Sequence, residues 1–237
     1  MNFGVVVFPG SNCDQDTIDA LNFLGLEARA LWHEETSLAG IDCVVLPGGF
    51  SYGDHLRAGA IAHFAPIMDA IKAHAAGGGL VLGICNGFQI LLEGGFLPGA
   101  MLRNRDLSFR CEEVRLRVET DRTPFTRRLR TGEVLRMPIA HQEGGYHIDA
   151  AGLAEIEENG QVVMRYVDAG GEASPAANPN GSVANIAGVC NREGNVLGLM
   201  PHPERAAEGI LGSTDGAALF LSAAGSEVSG AAAAGRR

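Results

Sequence analysis

Short, continuous apolar runs alternate with helical patterns through the first half of this chain, and that alternation excludes most fold classes. The runs have the length of buried strands and lie at residues 3–8, 27–32, 41–46 and 79–84. Helices are predicted between them, at residues 15–24, 59–75 and 88–92. Strands and helices in alternation form a parallel sheet covered on both faces. Ligands of such sheets lie beyond the carboxyl ends of the strands, so a site is expected after residues 8, 46 and 84.

The sequence pattern of the second half is typical of antiparallel strands. Strands are predicted at residues 113–119 and 133–139, and Asn159-Gly160 is interpreted as the turn of a hairpin. A second strand pair, 182–189 and 195–199, closes around a polar turn at residues 191–194. Residues 170–181 are rich in Gly, Pro, Ala and Asn, which predicts a surface loop, and residues 215–223 predict a final helix.

These elements predict one α/β domain, a sandwich with a central, mostly parallel sheet that carries added antiparallel strands. We expect the domain to span residues 1–224. The small residues of the segment 225–237 predict a flexible tail.

The charge and the cysteines exclude several classes of function. The formal net charge of −10 argues against binding to nucleic acid or to anionic membranes, because both would repel an acidic surface. The five cysteines are an odd, scattered set, which indicates neither a disulfide framework nor a paired-cysteine zinc site. With no leader and no long apolar stretch recognised, we expect a soluble, cytoplasmic protein whose partners are small molecules or proteins.

A cysteine lies where the strand 79–84 turns into the next helix, in the sequence Gly-Ile-Cys-Asn-Gly at residues 83–87. A nucleophile on such a tight turn needs small neighbours, because the backbone is strained and the helix passes close by. The start of the helix also brings backbone N–H groups and a positive dipole end near the sulfur, which favours a thiolate. Cys85 is therefore a candidate nucleophile, although cysteine is also a common core residue.

His202 and Glu204 follow the strand 195–199 in the sequence Pro-His-Pro-Glu. A thiolate nucleophile needs an imidazole to accept and return its proton, and the imidazole needs a carboxylate to orient it. The two prolines stiffen the segment. On its own this pattern is weak, since only the fold can bring His202 to Cys85.

Two glycines follow the strand 41–46, in Pro-Gly-Gly-Phe at residues 47–50. Glycine lets the backbone turn its N–H outward, as the stabilisation of an oxyanion requires. The N–H groups of Gly49 and Asn86 are the predicted pair of donors, although an ordinary tight turn fits the glycines as well. Nucleophile, base and oxyanion donors at strand ends together predict acyl-transfer chemistry.

This combination resembles the class I (triad) glutamine amidotransferases. Within them, the strings at residues 10–14, 48–54, 85–89 and 200–205 resemble the glutaminase subunits of phosphoribosylformylglycinamidine synthase, an enzyme of purine synthesis. The resemblance covers residues 1–223. It implies Cys85 as nucleophile, His202 as base and acid, and Glu204 as the orienting carboxylate.

The resemblance also implies that Gln89 and the backbone near Phe50 contact bound glutamine. The family often has His-Gly-Glu-Gly where residues 141–144 read His-Gln-Glu-Gly, so the role of the loop 141–146 is open. His141 and His147 are interpreted as surface residues. Surface positions are likewise expected for three arginines, Arg57, Arg103 and Arg105.

The implied partners are a large synthase subunit and a small accessory subunit of the same complex, with glutamine as the substrate. No cofactor is expected in this chain. Its one lysine is followed by alanine, which rules out the usual phosphate loop, so ATP and magnesium are expected on the partner synthase. Two alternatives stay open: an amidotransferase of another pathway or a peptidase of similar fold, and a non-catalytic regulatory subunit.

Overall fold

The apolar runs of the sequence form the centre of one nine-stranded sheet. A computed structural model of the chain describes residues 1–225; apart from Gly225, the predicted tail lies outside the described residues. The strands have the following bounds: β1 Asn2–Val7, β2 Glu27–Trp32, β3 Cys43–Leu46, β4 Leu80–Ile84, β5 Ala100–Leu102, β6 Arg110–Val118, β7 Val134–His141, β8 Gly145–His147, β9 Val162–Val167, β10 Ile186–Cys190 and β11 Val196–Leu199.

Five α-helices connect and cover these strands: α1 Asp14–Phe23, α2 Ile67–Ala76, α3 Asn86–Glu93, α4 Ala150–Glu158 and α5 Ala217–Ala224. Helix α1 packs against β1 and β2, and α3 packs against β3, β4 and β11. Every residue of β3 and β11 is buried, as expected for strands with both faces covered. Among the described residues, no helix combines the length and the apolar character needed to cross a bilayer.

The strand order of the large sheet is β2-β1-β3-β4-β11-β10-β9-β6-β7. The first five strands in this order are parallel to one another, and the remaining neighbours pair antiparallel. The structure therefore confirms the expected fold class, with a parallel half and an added antiparallel half. Strands β5 and β8 form a separate two-stranded sheet.

The antiparallel half of the sheet curls back toward the parallel half. In a flat sheet β7 would lie four strand spacings, or about 19 Å, from β11. Instead, the His202 N–H, just beyond β11, donates to the Pro138 carbonyl of β7 at 2.9 Å. This curl brings the carboxyl end of β7 to the carboxyl edge of the parallel strands.

The predicted hairpin at Asn159-Gly160 is wrong. Residues before it form helix α4, which ends at Glu158 with Asn159 as its C-cap, and Gly160 follows with φ +67°. A left-handed glycine after the last turn is a common way to end a helix, so Asn-Gly here serves a helix end and not a two-residue turn. Strand β9 follows at once, and it pairs with β6 and β10.

Two other predictions need correction. The helix expected over 59–75 begins only at Ile67, because Ala65 precedes a proline and is extended (φ −62°, ψ 143°). The loop 170–181 is present, but Asn178 and Asn180 are buried in it. Their side chains donate to the Ser182 carbonyl and the Tyr166 hydroxyl at 2.8 and 3.2 Å, so this loop is partly a structural core.

Asp149 caps helix α4, because its carboxylate accepts the Gly152 N–H at 2.7 Å. We expect Asp149→Ala to lower the free energy of unfolding by about 1 kcal/mol, the usual loss for a removed N-cap. Urea denaturation checks this. Asp121→Ala, at an exposed aspartate in a turn, is the control and should change the free energy by less than about 0.5 kcal/mol. Equal effects of both substitutions would contradict the capping role.

Candidate active site

Four adjacent parallel strands end at the same edge of the sheet and bring the predicted residues together. Cys13 follows β1, Gly49 follows β3, Cys85 follows β4 and His202 follows β11. All four line one cavity of about 450 Å³. This is the position that the parallel topology predicts for a ligand site.

Cys85 occupies a strained turn between β4 and α3. Its φ of +47° is unfavourable for a residue with a side chain, and its N–H is held by the Leu199 carbonyl at 2.8 Å. A Cβ atom at Gly83 would lie 2.5 Å from a Leu91 methyl carbon, and one at Gly87 would lie 2.0 Å from the Leu46 carbonyl oxygen. The glycines on either side of the cysteine are thus required by packing, as the sequence predicted.

His202 and Glu204 form a buried pair beside the cysteine. The Nδ1 atom of His202 lies 2.6 Å from Oε1 of Glu204, and neither side chain is accessible to solvent to more than 2%. A Cβ atom at Gly48 would lie 2.6 Å from His202 Cε1 and 3.4 Å from Cys85 Cβ, so the imidazole and the thiol flank Gly48. Within residues 1–225, His202 Nε2 has no hydrogen-bond partner and is available to the thiol or to a substrate.

The surroundings of His202 favour its protonated form. Burial disfavours a charged imidazole, but the hydrogen-bonded carboxylate of Glu204 and the negative charge of Cys85 outweigh it and raise the pKa of His202. The guanidinium of Arg205 lies 3.8 Å from Glu204 Oε1. A carboxylate that is buried and paired in this way holds the imidazole in one orientation.

Of the predicted oxyanion donors, Gly49 lines the cavity, and Asn86 directly follows Cys85, which also lines it. Gly49 has φ +89°, and neither its N–H nor that of Asn86 donates a hydrogen bond to another residue of 1–225. Two unpaired N–H groups at a nucleophile are suited to stabilise an oxyanion. Their role in the reaction stays a prediction.

Gln89 is held at both ends of its amide. It donates to the Glu143 carbonyl at 2.6 Å and accepts from Asn86 Nδ2 at 3.1 Å. Asn86 Nδ2 also lies 3.2 Å from Asp54 Oδ1. Gln89 therefore ties α3 to the loop 141–146, and its predicted contact with substrate remains untested.

The side chain of Phe50 is half exposed and lines the cavity, which leaves its predicted contact with substrate open too. Three arginines lie at the surface as expected: Arg57 pairs with Glu93, Arg103 lies 3.7 Å from Glu143, and Arg105 is exposed.

The surface interpretation of His141 is wrong, whereas His147 is exposed as expected. His141 is buried, lines the cavity, and has Nδ1 3.1 Å from Asn104 Oδ1. Burial and the neighbouring His202 lower the pKa of His141 to about 4, so it stays neutral where His202 is charged. The next residue, Gln142, has no positive φ, which explains how it replaces a glycine of the family pattern.

Sequence reasoning assigned no role to Cys13 and Arg205, although both lie in the strings that carry the resemblance. Arg205 donates to the Cys13 sulfur at 3.0 Å and lies 3.5 Å from Asp16. Donor atoms of Cys13, His202 and Glu204 lie within 4.8 Å of one another. Because the Arg205 cation already lies against this trio, the cluster is poorly suited to a metal ion.

Comparison with known proteins identifies the family. Residues 1–217 match the CobB/CobQ-like glutamine amidotransferase domain. The chain belongs to this family. In this glutamine amidotransferase Cys85 follows strand β4, and His202 and Glu204 follow strand β11.

Individual relatives show which members of the family this chain is most similar to among those compared. The phosphoribosylformylglycinamidine synthase subunit PurQ of Moorella thermoacetica is 65% identical over 223 residues, 94% of each chain. A chain in the structure of PurLQS from Thermotoga maritima is 45% identical with a TM-score of 0.84, covering 94% of this chain and 97% of that one. The glutaminase domain of Trypanosoma brucei CTPS with bound acivicin shares the fold at 12% identity, with a TM-score of 0.59 and coverage of 95% and 94%.

The close approach of Gly48 to the imidazole leads to a first prediction for this amidotransferase. We expect Gly48→Ala to displace His202 and to lower kcat/KM for glutamine hydrolysis by about 100-fold, the cost of misplacing a catalytic group by about 1 Å. The control is Gly209→Ala, since a Cβ atom there meets nothing within 4 Å. A fully active Gly48→Ala enzyme would contradict the placement of the ring.

The raised pKa of His202 predicts an alkaline shift in the pH profile. The imidazolium is present below its pKa and is lost as pH rises through that raised value, so hydrolysis should persist above the ordinary histidine value of about 6.5. Glu204→Gln removes the negative partner, which lowers the pKa of His202. We expect this variant to have a lower kcat/KM than the native enzyme. We also expect its kcat/KM to begin to fall at a lower pH on the alkaline side of the profile.

The control for this measurement is Glu208→Gln, which removes a carboxylate further along the same loop and should leave the profile in place. An alkaline limb unmoved by Glu204→Gln would contradict the electrostatic role of Glu204.

Proposed function

We infer that this chain is the glutaminase subunit of phosphoribosylformylglycinamidine synthase. It hydrolyses glutamine to glutamate and ammonia, and a large synthase subunit uses the ammonia with ATP to convert formylglycinamide ribonucleotide to the amidine in purine biosynthesis. The observation that carries this proposal is the 65% identity, over 94% of both chains, with a protein named as that subunit. The buried His202–Glu204 pair beside Cys85 supports a catalytic chain over a regulatory one.

The first half of the reaction forms a thioester. The Cys85 thiolate attacks the side-chain amide carbon of glutamine, and the developing oxyanion is stabilised by the N–H groups of Gly49 and Asn86. His202 then gives its proton to the amide nitrogen, the carbon–nitrogen bond breaks, and ammonia leaves.

The second half regenerates the enzyme. The imidazole of His202, now neutral, takes a proton from a water molecule that attacks the thioester carbon. The carbon–sulfur bond breaks, glutamate is released, and the thiolate and the imidazolium are restored. Glu204 keeps the ring in the orientation that both transfers need.

The proposed complex follows from the chemistry of ammonia. Free ammonia in water is protonated to ammonium, which is not a nucleophile, so a shielded path to the site of synthesis is needed. The relatives named as subunits and the similarity to a chain of PurLQS support a complex of this chain with a large synthase subunit and a small accessory subunit. ATP and magnesium are assigned to the large subunit. A cytoplasmic location fits the five free thiols.

Replacement of the nucleophile separates the two activities of the complex. In the complex assembled with its synthase partner, we expect Cys85→Ala to abolish glutamine-dependent amidine formation, by at least about 10³-fold. Synthesis from added ammonium salts should continue, since the partner subunit carries out that step. Amidine formation is measured from each nitrogen source.

The matched control is Cys111→Ala, which removes an exposed thiol and should leave both activities unchanged. Loss of synthesis from ammonia as well as from glutamine in Cys85→Ala would mean that Cys85 has a structural role, and the proposed mechanism would fail.

A further inference from the structure

Two carboxylates of the cavity lining take no part in the bond-breaking steps. Asp54 and Glu143 are the carboxylate residues of the cavity lining, and the lining has one guanidinium, that of Arg205. Arg205 is already engaged with Cys13, Asp16 and Glu204. The other cation of the lining, the imidazolium of His202, is paired with Glu204, and Glu143 is partly countered by the exposed Arg103. Asp54 therefore carries the least compensated charge of the described lining, and a negative charge favours a ligand with a cationic group.

Asp54 is held in place through one oxygen. Its Oδ1 accepts from the Ser51 N–H and from Asn86 Nδ2, both at 3.2 Å. Within residues 1–225 its Oδ2 has no hydrogen-bond donor, and it is not among the buried unpaired atoms. One oxygen is thus anchored, and the other is left for a ligand.

Asp54 also has an unusual backbone. Its φ is +51° and that of the neighbouring Tyr52 is +52°, a conformation that residues with side chains rarely adopt. The loop is held there by the Tyr52 N–H, which donates to the Pro9 carbonyl at 2.7 Å, and by the Tyr52 hydroxyl, 2.8 Å from His33 Nδ1. Strain that tertiary contacts maintain is typical of functional loops.

Glu143, in the loop 141–146, is the second carboxylate of the cavity lining. Its carbonyl accepts from Gln89 Nε2 at 2.6 Å, while its carboxylate lies 3.4 Å from the Ala58 N–H and 3.7 Å from Arg103 Nε. Burial raises the pKa of Asp54, two hydrogen bonds oppose this, and the like charge of Glu143 raises it further. A cation between the two carboxylates would relieve that repulsion.

Both residues are tied to the turn of α3 that begins at the nucleophile. Asn86 directly follows Cys85 and its Nδ2 contacts the Asp54 carboxylate, and Gln89, one turn later, contacts the backbone carbonyl of Glu143. In free glutamine the α-ammonium nitrogen is four bonds of about 1.5 Å each from the amide carbon. A glutamine with its amide at Cys85 therefore carries its ammonium group toward this part of the wall.

We propose that Asp54, supported by Glu143, binds the α-ammonium group of glutamine and thereby restricts the enzyme to the free amino acid. This assignment rests on the proposed function and adds the basis of its substrate specificity. A carboxamide without the ammonium group would leave the Asp54 carboxylate unpaired in the cavity, which disfavours its binding.

The test compares glutamine with glutaramate, the same molecule without the α-amino group, in the assembled complex. Ammonia release is measured for the native enzyme and for Asp54→Asn. We expect Asp54→Asn to lower kcat/KM for glutamine by about 10- to 100-fold, the effect of a hydrogen bond between charged groups, mainly through KM. The kcat/KM for glutaramate should change little, and Glu143→Gln should shift the ratio in the same direction by less.

Asp69→Asn is the matched control, because Asp69 lies on α2 and does not line the cavity. It should leave both values of kcat/KM unchanged. An equal loss for both substrates in Asp54→Asn would show a structural role for Asp54, and no loss for either would show that it does not bind glutamine. Either result overturns the proposal.

The native enzyme supplies a second test that needs no variant. If it hydrolyses glutaramate as well as glutamine, no group recognises the ammonium, and the proposal fails while the glutaminase assignment stands. A native complex that does not release ammonia from glutamine overturns the proposed function itself, together with this inference.

Discussion

The close approach of helix α3 to strand β3 is the constraint on which the site depends. Gly87 lies so near the Leu46 carbonyl that a Cβ atom would be 2.0 Å away, and its N–H donates to the Pro47 carbonyl at 3.0 Å. Cys85, two residues before Gly87, has φ +47° and ψ −102°, a strained conformation that the packing of α3 maintains. Helix α3 is buried at every residue but Glu93, and its packing holds the nucleophile at the edge of the sheet.

The electrostatics of the site follow from the same packing. Glu204 is buried with Oε2 unpaired within residues 1–225, an arrangement that costs stability and that proteins retain where charge serves function. The buried carboxylate stabilises a charged His202, and Arg205 lies against both Glu204 and Cys13. Within residues 1–225 the second imidazole, His141, has no carboxylate partner, and burial keeps it neutral. Of the two histidines at the cavity, His202 is thus charged and His141 neutral at neutral pH.

Much of the fold could be predicted from the sequence because the parallel strands carry their own signal. Strands β1, β3 and β4 are continuous apolar runs with glycine at the following turn, and β2 was predicted with its observed ends. The hairpin turn predicted at Asn159-Gly160 was wrong, because the same two residues end a helix as readily as they form a hairpin. The helix predicted from residue 59 begins only at Ile67, because Pro66 disfavours a helical conformation at Ala65 and the prediction did not take this into account.

The sequence by itself determined the parallel core and the positions of Cys85, Gly49 and His202 after its strands, because parallel strands end at one edge whatever the intervening loops do. Only the tertiary structure decided that β7 curls back to the site, that His141 is buried there, and that Asp54 and Glu143 line the same wall. These contacts join residues far apart in the chain, as in the His202 bond to Pro138. Sheet curvature and side-chain burial depend on packing over the whole molecule, which no local pattern of residues encodes.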